Sequence, residues 1–314
     1  NNNNNNSNNT SNIPASPNVA SPRGQNIVHI NDIKNPNDLE KLSDNVKVSE
    51  CSLDSKEKEV CSDPTILQKI ESFISGRKSG DNVNSNKKVI IKEAKKITEC
   101  DTEMCVVEKI AGKHLTEEIF KPEGPALSDN LLDNHNIDKV MTQWDFKGFK
   151  PLSYHMSDFY TTKKPQPNIG ELNWAEEIKH TKTIGVVFNT DVSTGGGEHW
   201  FAVFVDMRNP ELITVEYYNS AGVAMPDVIV ILTNKIVNQL EELGKKAKAI
   251  TATEYMHQKD KVSCGVYSLS YIWFRLQNNP YTYFNSPSAL NDKMMTKFRK
   301  IIFNHDDKSK NHDN

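Results

Sequence analysis

The sequence predicts an α+β fold, in which helices pack on a sheet of short strands. Apolar segments rich in β-branched and aromatic residues, at 184–188, 200–205 and 212–218, predict three of the strands. Apolar residues at three- and four-residue spacing predict core-facing helices over 264–276 and 292–303. These elements all lie in the second half of the chain, so we expect one α+β domain there.

Turn-forming residues predict the remaining elements of this domain. A short polar insert at 207–211 suits a hairpin, so the strands on either side of it are expected to be antiparallel neighbours. Pro226 opens a helical stretch, and Gly244 stands where that helix is expected to end. A further strand is expected at 247–253.

Composition divides the chain into four parts. Nine of the first twelve residues are Asn, so the leader 1–26 is expected to be disordered. Residues 27–121 are charged and helical in pieces, which indicates a small helical arm region. A stretch rich in Pro, Gly, Asn and Asp, 122–136, begins the α+β domain 122–304, and a polar tail, 305–314, follows it.

Within the arm region, three segments carry helical patterns. Ile66, Ile70, Phe73 and Ile74 fall on one face of a helix that begins after Pro64. A stretch of Gly, Asn, Ser and Lys then interrupts the pattern, which resumes at 89–97 and 104–115. We therefore expect three helical pieces in the arm.

Size and charge exclude several classes of protein. The 314 residues suffice for a catalytic domain and one smaller region. The 38 Lys and Arg nearly balance the 41 Asp and Glu, so the charge indicates neither a nucleic acid nor an anionic membrane as partner. No apolar run approaches the roughly 18 residues of a membrane span, and no secretory signal opens the chain. We expect a protein that is not secreted and works in a reducing compartment.

Four of the five cysteines lie in the arm region, at Cys51, Cys61, Cys100 and Cys105. Cys100 and Cys105 have no second pair of Cys or His at zinc-finger spacing. We expect these four to be buried or free thiols, with metal binding as the less favoured alternative. Cys264 alone has surroundings that indicate reactivity.

Four polar residues in the last third of the chain supply the groups that a cysteine hydrolase needs. His199, Asn219, Gln258 and Cys264 are, in that order, a general base, a group that orients it, an oxyanion donor and a thiol. Each residue alone has a plainer explanation: a surface histidine, a turn asparagine, a loop glutamine or a buried structural cysteine. Their coincidence with strand, turn, loop and helix starts favours the catalytic interpretation.

The predicted elements explain why these residues should meet. Cys264 begins a helix, where backbone N–H groups favour thiolate and should lower the thiol pKa. His199 begins one strand and Asn219 ends its hairpin partner, which brings the two side chains together. Gln258 lies in a polar loop six residues before the cysteine and can turn its amide toward an oxyanion.

Longer motifs identify a family. The stretches GEHWFAVFVD and EYYNSAG, with a Gln six residues ahead of SCGVYSL, resemble the ubiquitin-like-protein proteases, which include SUMO-deconjugating enzymes and the adenovirus protease. FNTDVSTGGGEHW, FVDMR, NID and KFR resemble the polyprotein-processing cysteine proteases of African swine fever virus and related large DNA viruses. The likeness spans 122–303 and implies a SUMO-protease-like, permuted papain-like catalytic domain.

The resemblance implies a cysteine endopeptidase that cleaves viral structural polyproteins after Gly-Gly during maturation of the virion core. It assigns Cys264 as nucleophile, His199 as base, Asn219 as the orienting residue and Gln258 as the oxyanion donor. It implies no metal or organic cofactor, the polyprotein and core-shell proteins as partners, and a location in the virion and host cytoplasm.

Two further residues carry over as substrate-binding groups. Trp200 matches an aromatic that flanks the catalytic histidine and forms a channel too narrow for any side chain but that of glycine. Asn189 opens the FNTD motif and is expected to face the site. The open alternatives are a core aromatic for Trp200 and a strand-end turn for Asn189. The viral relatives have a second Gln three residues before the nucleophile, where this chain has Lys261, so Gln258 is the remaining oxyanion candidate.

Two alternatives stay open at the level of sequence. Removal of ubiquitin-like modifiers of the SUMO type uses the same chemistry, because those substrates also present Gly-Gly. A non-catalytic virion scaffold component could retain the fold, although all four catalytic positions are intact.

Overall fold

The computed structural model describes most of the chain between residues 27 and 304. The expected leader, 1–26, and the expected polar tail, 305–314, lie outside the described residues. The described ranges are 27–55, 58–76, 86–127, 129–162 and 167–304.

The sheet has five strands in the order in which they occur along the chain, and its three central strands are antiparallel. Each edge strand runs parallel to its neighbour. The strands predicted from the sequence are confirmed, whereas the first edge strand has only three residues and gives no periodic signal. The strands are β1 (Phe149–Pro151), β2 (Thr183–Asn189), β3 (Trp200–Asp206), β4 (Ile213–Tyr218) and β5 (Ala247–Thr251).

The described residues include ten α-helices. They are α1 (Pro36–Lys41), α2 (Pro64–Ser75), α3 (Lys87–Thr98), α4 (Glu103–Ala111), α5 (Lys113–Ile119), α6 (Asn134–Thr142), α7 (Trp174–His180), α8 (Asp227–Glu242), α9 (Cys264–Leu276) and α10 (Asp292–Ile302).

Helices cover both faces of the sheet, which confirms the α+β class. Ala202 and Phe204 of β3 pack toward α9 and α10, while Phe201, Val203 and Val205 pack toward α8. Because every residue of β3 but its last is buried, this strand is almost continuously apolar instead of alternating. The helix α9 is buried along its whole length, so its first residue is held rigidly against the sheet.

The helical pattern at 104–115 is two helices instead of one. Gly112 separates α4 from α5 with a φ of 108°, a conformation that side-chain-bearing residues rarely adopt.

The helix α6 was not predicted, because it begins inside the polar stretch 122–136. A capping box between Asp133 and Asn136 starts it there.

The arm region has two kinds of packing. Helices α2 to α5 share a small apolar core of their own, which includes Ile70 and Phe120. The segment before them packs on the α+β domain instead: the Trp273 indole donates to the carbonyl of Ile33 at 2.7 Å, and the Lys297 ammonium donates to that of Leu42 at 2.6 Å. The boundary at residue 122 stays a prediction, and Ile33 and Leu39 of the expected arm contribute to the core of the α+β domain.

The expectation that the four arm cysteines are free or metal-binding thiols is wrong, and the disulfides they form also disagree with the expected reducing compartment. Cys51 forms a disulfide with Cys61, and Cys100 forms one with Cys105. Packing of the small arm core brings their Cα atoms to 5.0 and 5.7 Å, within the range that a disulfide spans. Cys264 is the free cysteine.

Candidate active site

The hairpin of β3 and β4 brings His199 to Asn219. Ala202 pairs with Tyr218 across the two strands, so the residues that flank the strand ends become neighbours. His199 Nε2 lies 2.8 Å from Asn219 Oδ1. This adjacency is the one that the hairpin pattern in the sequence predicted.

The hydrogen bonds around Asn219 determine which nitrogen of the neutral His199 imidazole carries the proton. The backbone N–H of Ala221 donates to Asn219 Oδ1 at 2.9 Å, so this atom is the carbonyl oxygen of the amide. An amide oxygen only accepts, and therefore His199 Nε2 carries the proton in the neutral ring. The lone pair is left on His199 Nδ1, the nitrogen that can act as a base.

Tyr217 holds the other end of the Asn219 side chain. Asn219 Nδ2 donates to the Tyr217 hydroxyl at 2.9 Å, and that hydroxyl donates to the Ala224 carbonyl at 3.3 Å. Burial raises the pKa of Tyr217 to about 12, so the phenol stays neutral. Tyr217 was not among the predicted site residues, because its role depends on a contact that only the folded hairpin creates.

Cys264 is the first residue of α9 and is almost fully buried. Its sulfur lies near the backbone N–H groups of Trp200 and Gly265, and Trp200 directly follows His199 in the chain. The sulfur is therefore beside the His199–Trp200 peptide. Thiol and imidazole belong to one site.

The net pKa shift of the Cys264 thiol is opposite to the one expected from its place at a helix start. Burial raises the pKa, and the backbone N–H groups at the sulfur only partly oppose this. The carboxylate of Asp260 raises it further. The thiol is therefore protonated at neutral pH when considered by itself, and its activation requires a base.

Asp260 shapes the turn that leads into α9. Its Oδ1 accepts from the backbone N–H groups of Val262 and Ser263 at 3.0 and 2.9 Å, and its Oδ2 accepts from the Ser263 hydroxyl at 2.6 Å. These bonds hold the pKa of the Asp260 carboxyl below its usual range against the opposing effect of burial. Asp260 thus carries a charge close to the nucleophile, a feature that sequence reasoning missed.

Gln258 is tied to both neighbouring loops. Its Oε1 accepts from the Ser220 hydroxyl at 2.8 Å, and its backbone N–H donates to the Ser220 carbonyl at 3.0 Å. Its Nε2 donates to Asp260, with the backbone oxygen at 3.1 Å and Oδ1 at 3.2 Å. The amide orientation is therefore fixed between Asn219's loop and the start of α9.

A cavity of about 610 Å³ opens beside this group of residues, and both predicted substrate-binding residues line it. The Trp200 indole N–H donates to the carbonyl of Leu132 at 2.9 Å, which fixes the segment that precedes α6 as a wall. Leu132 also lies close to Gly265, where an added Cβ would meet its side chain at 3.1 Å. The sequence did not predict that Leu132 forms this wall, because Leu132 lies in the stretch 122–136, whose composition is typical of a connector.

Asn189 lies at the base of the glycine-rich loop that borders the cavity. Its Oδ1 accepts from the backbone N–H groups of Asp191 and Glu198 at 2.9 and 3.0 Å, which joins the two ends of the loop. Its Nδ2 makes no hydrogen bond within the described part of the chain. A donor therefore remains available at this buried position on the cavity wall.

The described residues include no group of three or more His, Cys, Asp and Glu arranged to hold a metal ion. Among the same residues, no helix has the length and apolar character needed to cross a membrane.

A thiol at the start of a buried helix, beside the peptide that follows an imidazole held by a side-chain amide, fits the arrangement of a cysteine protease. The chain belongs to the Ulp1 protease family, whose C-terminal catalytic domain matches residues 133–311. It is a thiol peptidase with an α+β catalytic domain.

Viral proteases are among its relatives. A cysteine protease of African swine fever virus is 32% identical in an alignment of 289 positions that covers 84% of this chain and 98% of the relative. A protein of Acanthamoeba polyphaga mimivirus, whose name describes a candidate thiol protease, is 28% identical over 64% of this chain and 69% of its own length. The crystal structure of the African swine fever virus protease matches 82% of this chain and 96% of its own with a TM-score of 0.63 at 28% identity.

Proposed function

We propose that this protein is a cysteine endopeptidase that cleaves viral structural polyproteins after Gly-Gly during maturation of the virion core. The single observation that carries the proposal is the His199–Asn219 hydrogen bond, which leaves Nδ1 as the basic nitrogen of a residue whose following backbone N–H lies at the Cys264 sulfur. The viral origin of its relatives supports a structural polyprotein as substrate and the virion and host cytoplasm as the place of action.

The first chemical step is acylation of the enzyme. His199 Nδ1 takes the proton from the Cys264 thiol, and the sulfur attacks the carbonyl carbon of the second glycine. The oxyanion that forms accepts hydrogen bonds from the backbone N–H of Cys264 and from Gln258 Nε2, which exchanges one of its two contacts with Asp260 for the oxyanion. His199 then donates its proton to the leaving nitrogen, the peptide bond breaks, and a thioester remains.

The second step returns the enzyme to its starting state. His199 removes a proton from water, and the resulting hydroxide attacks the thioester carbonyl. The C–S bond breaks, the carboxyl product leaves, and the thiolate regains a proton from the imidazolium. Asn219 orients the ring throughout, but its neutral amide stabilises the imidazolium less than a carboxylate would.

The cavity lined by Leu132, Asn189 and Trp200 supports the proposed Gly-Gly selectivity. Trp200 and Leu132 are joined by the indole hydrogen bond and stand where the acyl part of the substrate approaches Cys264. A substrate that passes along this joined wall to the sulfur would bring a Cβ against it, and glycine would not, so the wall favours Gly-Gly. Asn189 Nδ2 donates to a substrate carbonyl in the same cavity.

The test is cleavage of peptides that contain Gly-Gly junctions, with mass spectrometry of the new termini. We expect cleavage after the second glycine, loss of cleavage in Cys264→Ala, and loss of cleavage when either glycine is replaced by alanine. Selective labelling of Cys264 by a thiol reagent separates this enzyme from a non-catalytic scaffold. Full cleavage by Cys264→Ala would contradict the proposal.

Removal of SUMO-type modifiers is the second candidate function. Some relatives from African swine fever virus are named SUMO-1 cysteine proteases, and a modifier also ends in Gly-Gly. A folded SUMO fusion and an unfolded peptide with the same Gly-Gly junction should be compared at equal concentration. A higher kcat/KM for the peptide supports polyprotein processing, and a higher value for the fusion supports deconjugation.

A further inference from the structure

Three large apolar side chains are left in solvent on two loops that adjoin the proposed catalytic residues. Val223 is 50% exposed, Tyr255 44% and Met256 61%. Val223 follows Asn219 by four residues, and Met256 precedes Gln258 by two. Exposed apolar side chains that cluster beside a site usually mark a binding surface.

The two loops are joined to each other. The Ser220 carbonyl accepts from the backbone N–H groups of His257 and Gln258 at 2.8 and 3.0 Å. Gly222 packs directly on the peptide between Tyr255 and Met256, where an added Cβ would lie 2.6 Å from backbone atoms. The side chains of residues 223, 255 and 256 thus form one surface, which we call the 223/255/256 patch.

The base of this patch is rigid. His257 is buried, and its ring lies between the Tyr218 hydroxyl at 3.0 Å and the Ser286 carbonyl at 2.8 Å. The hydroxyl of Tyr267, on α9, donates to the His257 carbonyl at 3.0 Å. The patch is therefore a preformed surface, and a ligand would bind it without first having to order the loops.

The patch is separate from the Gly-Gly cavity. None of the residues 219–223 or 254–258 lines that cavity, whose walls include Leu132, Asn189 and Trp200. The patch instead adjoins the side of His199 that binds Asn219. In the proposed mechanism His199 Nδ1 protonates the leaving nitrogen, so the segment that follows the scissile bond departs past the His199 ring, whose other nitrogen is held at the Asn219 loop.

We propose that the 223/255/256 patch binds apolar side chains of the substrate in the first three residues after the scissile bond. The inference rests on the proposed function and adds a second level of selectivity to it. The occupant is the extended polypeptide substrate itself, because the patch continues the catalytic site and lies on the path of the leaving segment. Gly-Gly then selects the bond, and apolar residues after it select among the Gly-Gly junctions of a polyprotein.

The experiment uses the full-length protein and internally quenched peptides that share one Gly-Gly segment. The three residues that follow the Gly-Gly segment are drawn from Leu and Phe in one peptide, the apolar peptide, and from Ser and Glu in the other. We expect the wild type to prefer the apolar peptide about 10-fold in kcat/KM, the usual scale for an apolar subsite. Tyr255→Ser and Met256→Ser should each lose most of this preference.

Two controls separate binding at the patch from damage to the site. Ile231→Ser removes an apolar side chain that is as exposed as Met256, at 61%, but lies on α8. It should keep the preference. A Gly-Gly substrate with a coumarin leaving group has no residues after the scissile bond, so all three variants should cleave it at the wild-type rate.

The outcomes distinguish this inference from the function on which it rests. Equal cleavage of the two peptides by the wild type overturns the inference and leaves the Gly-Gly protease intact. The inference is also overturned if Tyr255→Ser slows cleavage of the coumarin substrate as much as cleavage of the apolar peptide. It is overturned as well if the wild type is a dimer in solution and Tyr255→Ser makes it monomeric without changing the peptide preference, because the patch would then bind a second copy of the chain. A wild type that cleaves no Gly-Gly substrate contradicts the proposed function and, with it, this inference.

Discussion

The arm helices and the catalytic domain both bury cysteine, yet they leave it in opposite chemical states. Cys51 and Cys264 are both almost fully buried. Cys51 forms a disulfide with Cys61, whereas the Cys264 sulfur lies near backbone N–H groups, among them that of the residue after His199. Burial alone therefore does not decide reactivity, and the groups that surround the sulfur do.

The arm and the catalytic domain also differ in the interactions that stabilise them. The arm core around α2 to α5 is small, and its chain is cross-linked twice over short separations of 10 and 5 residues. The catalytic domain has two large apolar cores on either side of the sheet. Small cores gain the most from cross-links, so arm and catalytic domain should respond to different perturbations.

The largest expected effect is on catalysis and is confined to the catalytic domain. Replacement of His199 by Ala removes the base from a thiol whose pKa burial raises, and we expect kcat/KM to fall by roughly 10⁴-fold or more. The melting temperature should change little, because His199 is only partly buried. The matched arm variant, Cys51→Ala with Cys61→Ala, should keep kcat/KM within about threefold of the wild type. A change of this size corresponds to less than about 1.4 kcal/mol, the free energy of a tenfold change in rate. Equal losses in both would contradict the separation of roles.

The second prediction concerns stability and is confined to the arm. Loss of the Cys51–Cys61 disulfide releases a loop of about ten residues and should lower the free energy of local unfolding by about 2–3 kcal/mol. Amide hydrogen exchange measures this region by region, and α2 and α4 should exchange faster while β2 to β4 do not. A Cys264→Ala background keeps the catalytic thiol out of the comparison. A uniform increase across both regions would show that the arm and the catalytic domain unfold together.

Local patterns in the sequence predicted most of the catalytic fold. The strands β2 to β5 and the helices α8, α9 and α10 have clear periodicity or turn residues, and the hairpin predicted the His199–Asn219 contact. The elements β1, α6 and α7 are short, and α6 begins in a stretch that reads as a connector. Their positions depend on tertiary packing, which no local pattern encodes.

The same limit applies to the site. Leu132 reaches Gly265 and Trp200, and Asp260 reaches Cys264, only when distant segments or a non-repeating turn fold. Cysteine spacing alone also cannot show which thiols pair, so the arm disulfides were not predicted. The sign of the thiol pKa shift was missed because the helix start was visible in the sequence, but the depth of burial was not.

The third prediction tests the wall beside the nucleophile. Gly265→Ala adds a Cβ that would meet the Leu132 side chain at 3.1 Å, so Leu132 must move. We expect a loss of about 1–2 kcal/mol in stability from overpacking and a fall in kcat/KM for Gly-Gly peptides. Gly196→Ala is the control for stability, because an added Cβ there meets nothing within 4 Å. An unchanged kcat/KM in Gly265→Ala would show that Leu132 does not shape the substrate passage.

The smallest expected effect is on the thiol itself, and it sharpens the contrast with the arm disulfides. The Asp260 carboxylate raises the pKa of Cys264, so Asp260→Asn removes a negative charge while keeping the side chain's shape. The pKa of the thiol should fall, because thiolate is no longer opposed by that charge. The rate of alkylation by iodoacetamide, followed against pH, should therefore rise at a lower pH in the variant than in the wild type.

Asp227→Asn provides the matched control, since it removes an exposed carboxylate at the start of α8. Its alkylation profile should coincide with that of the wild type. The arm cysteines do not contribute to the signal, because a disulfide has no thiol to alkylate. A shift of the Asp260→Asn profile to higher pH would mean that Asp260 acts chiefly by holding the turn before α9, so that its loss withdraws backbone N–H groups from the sulfur.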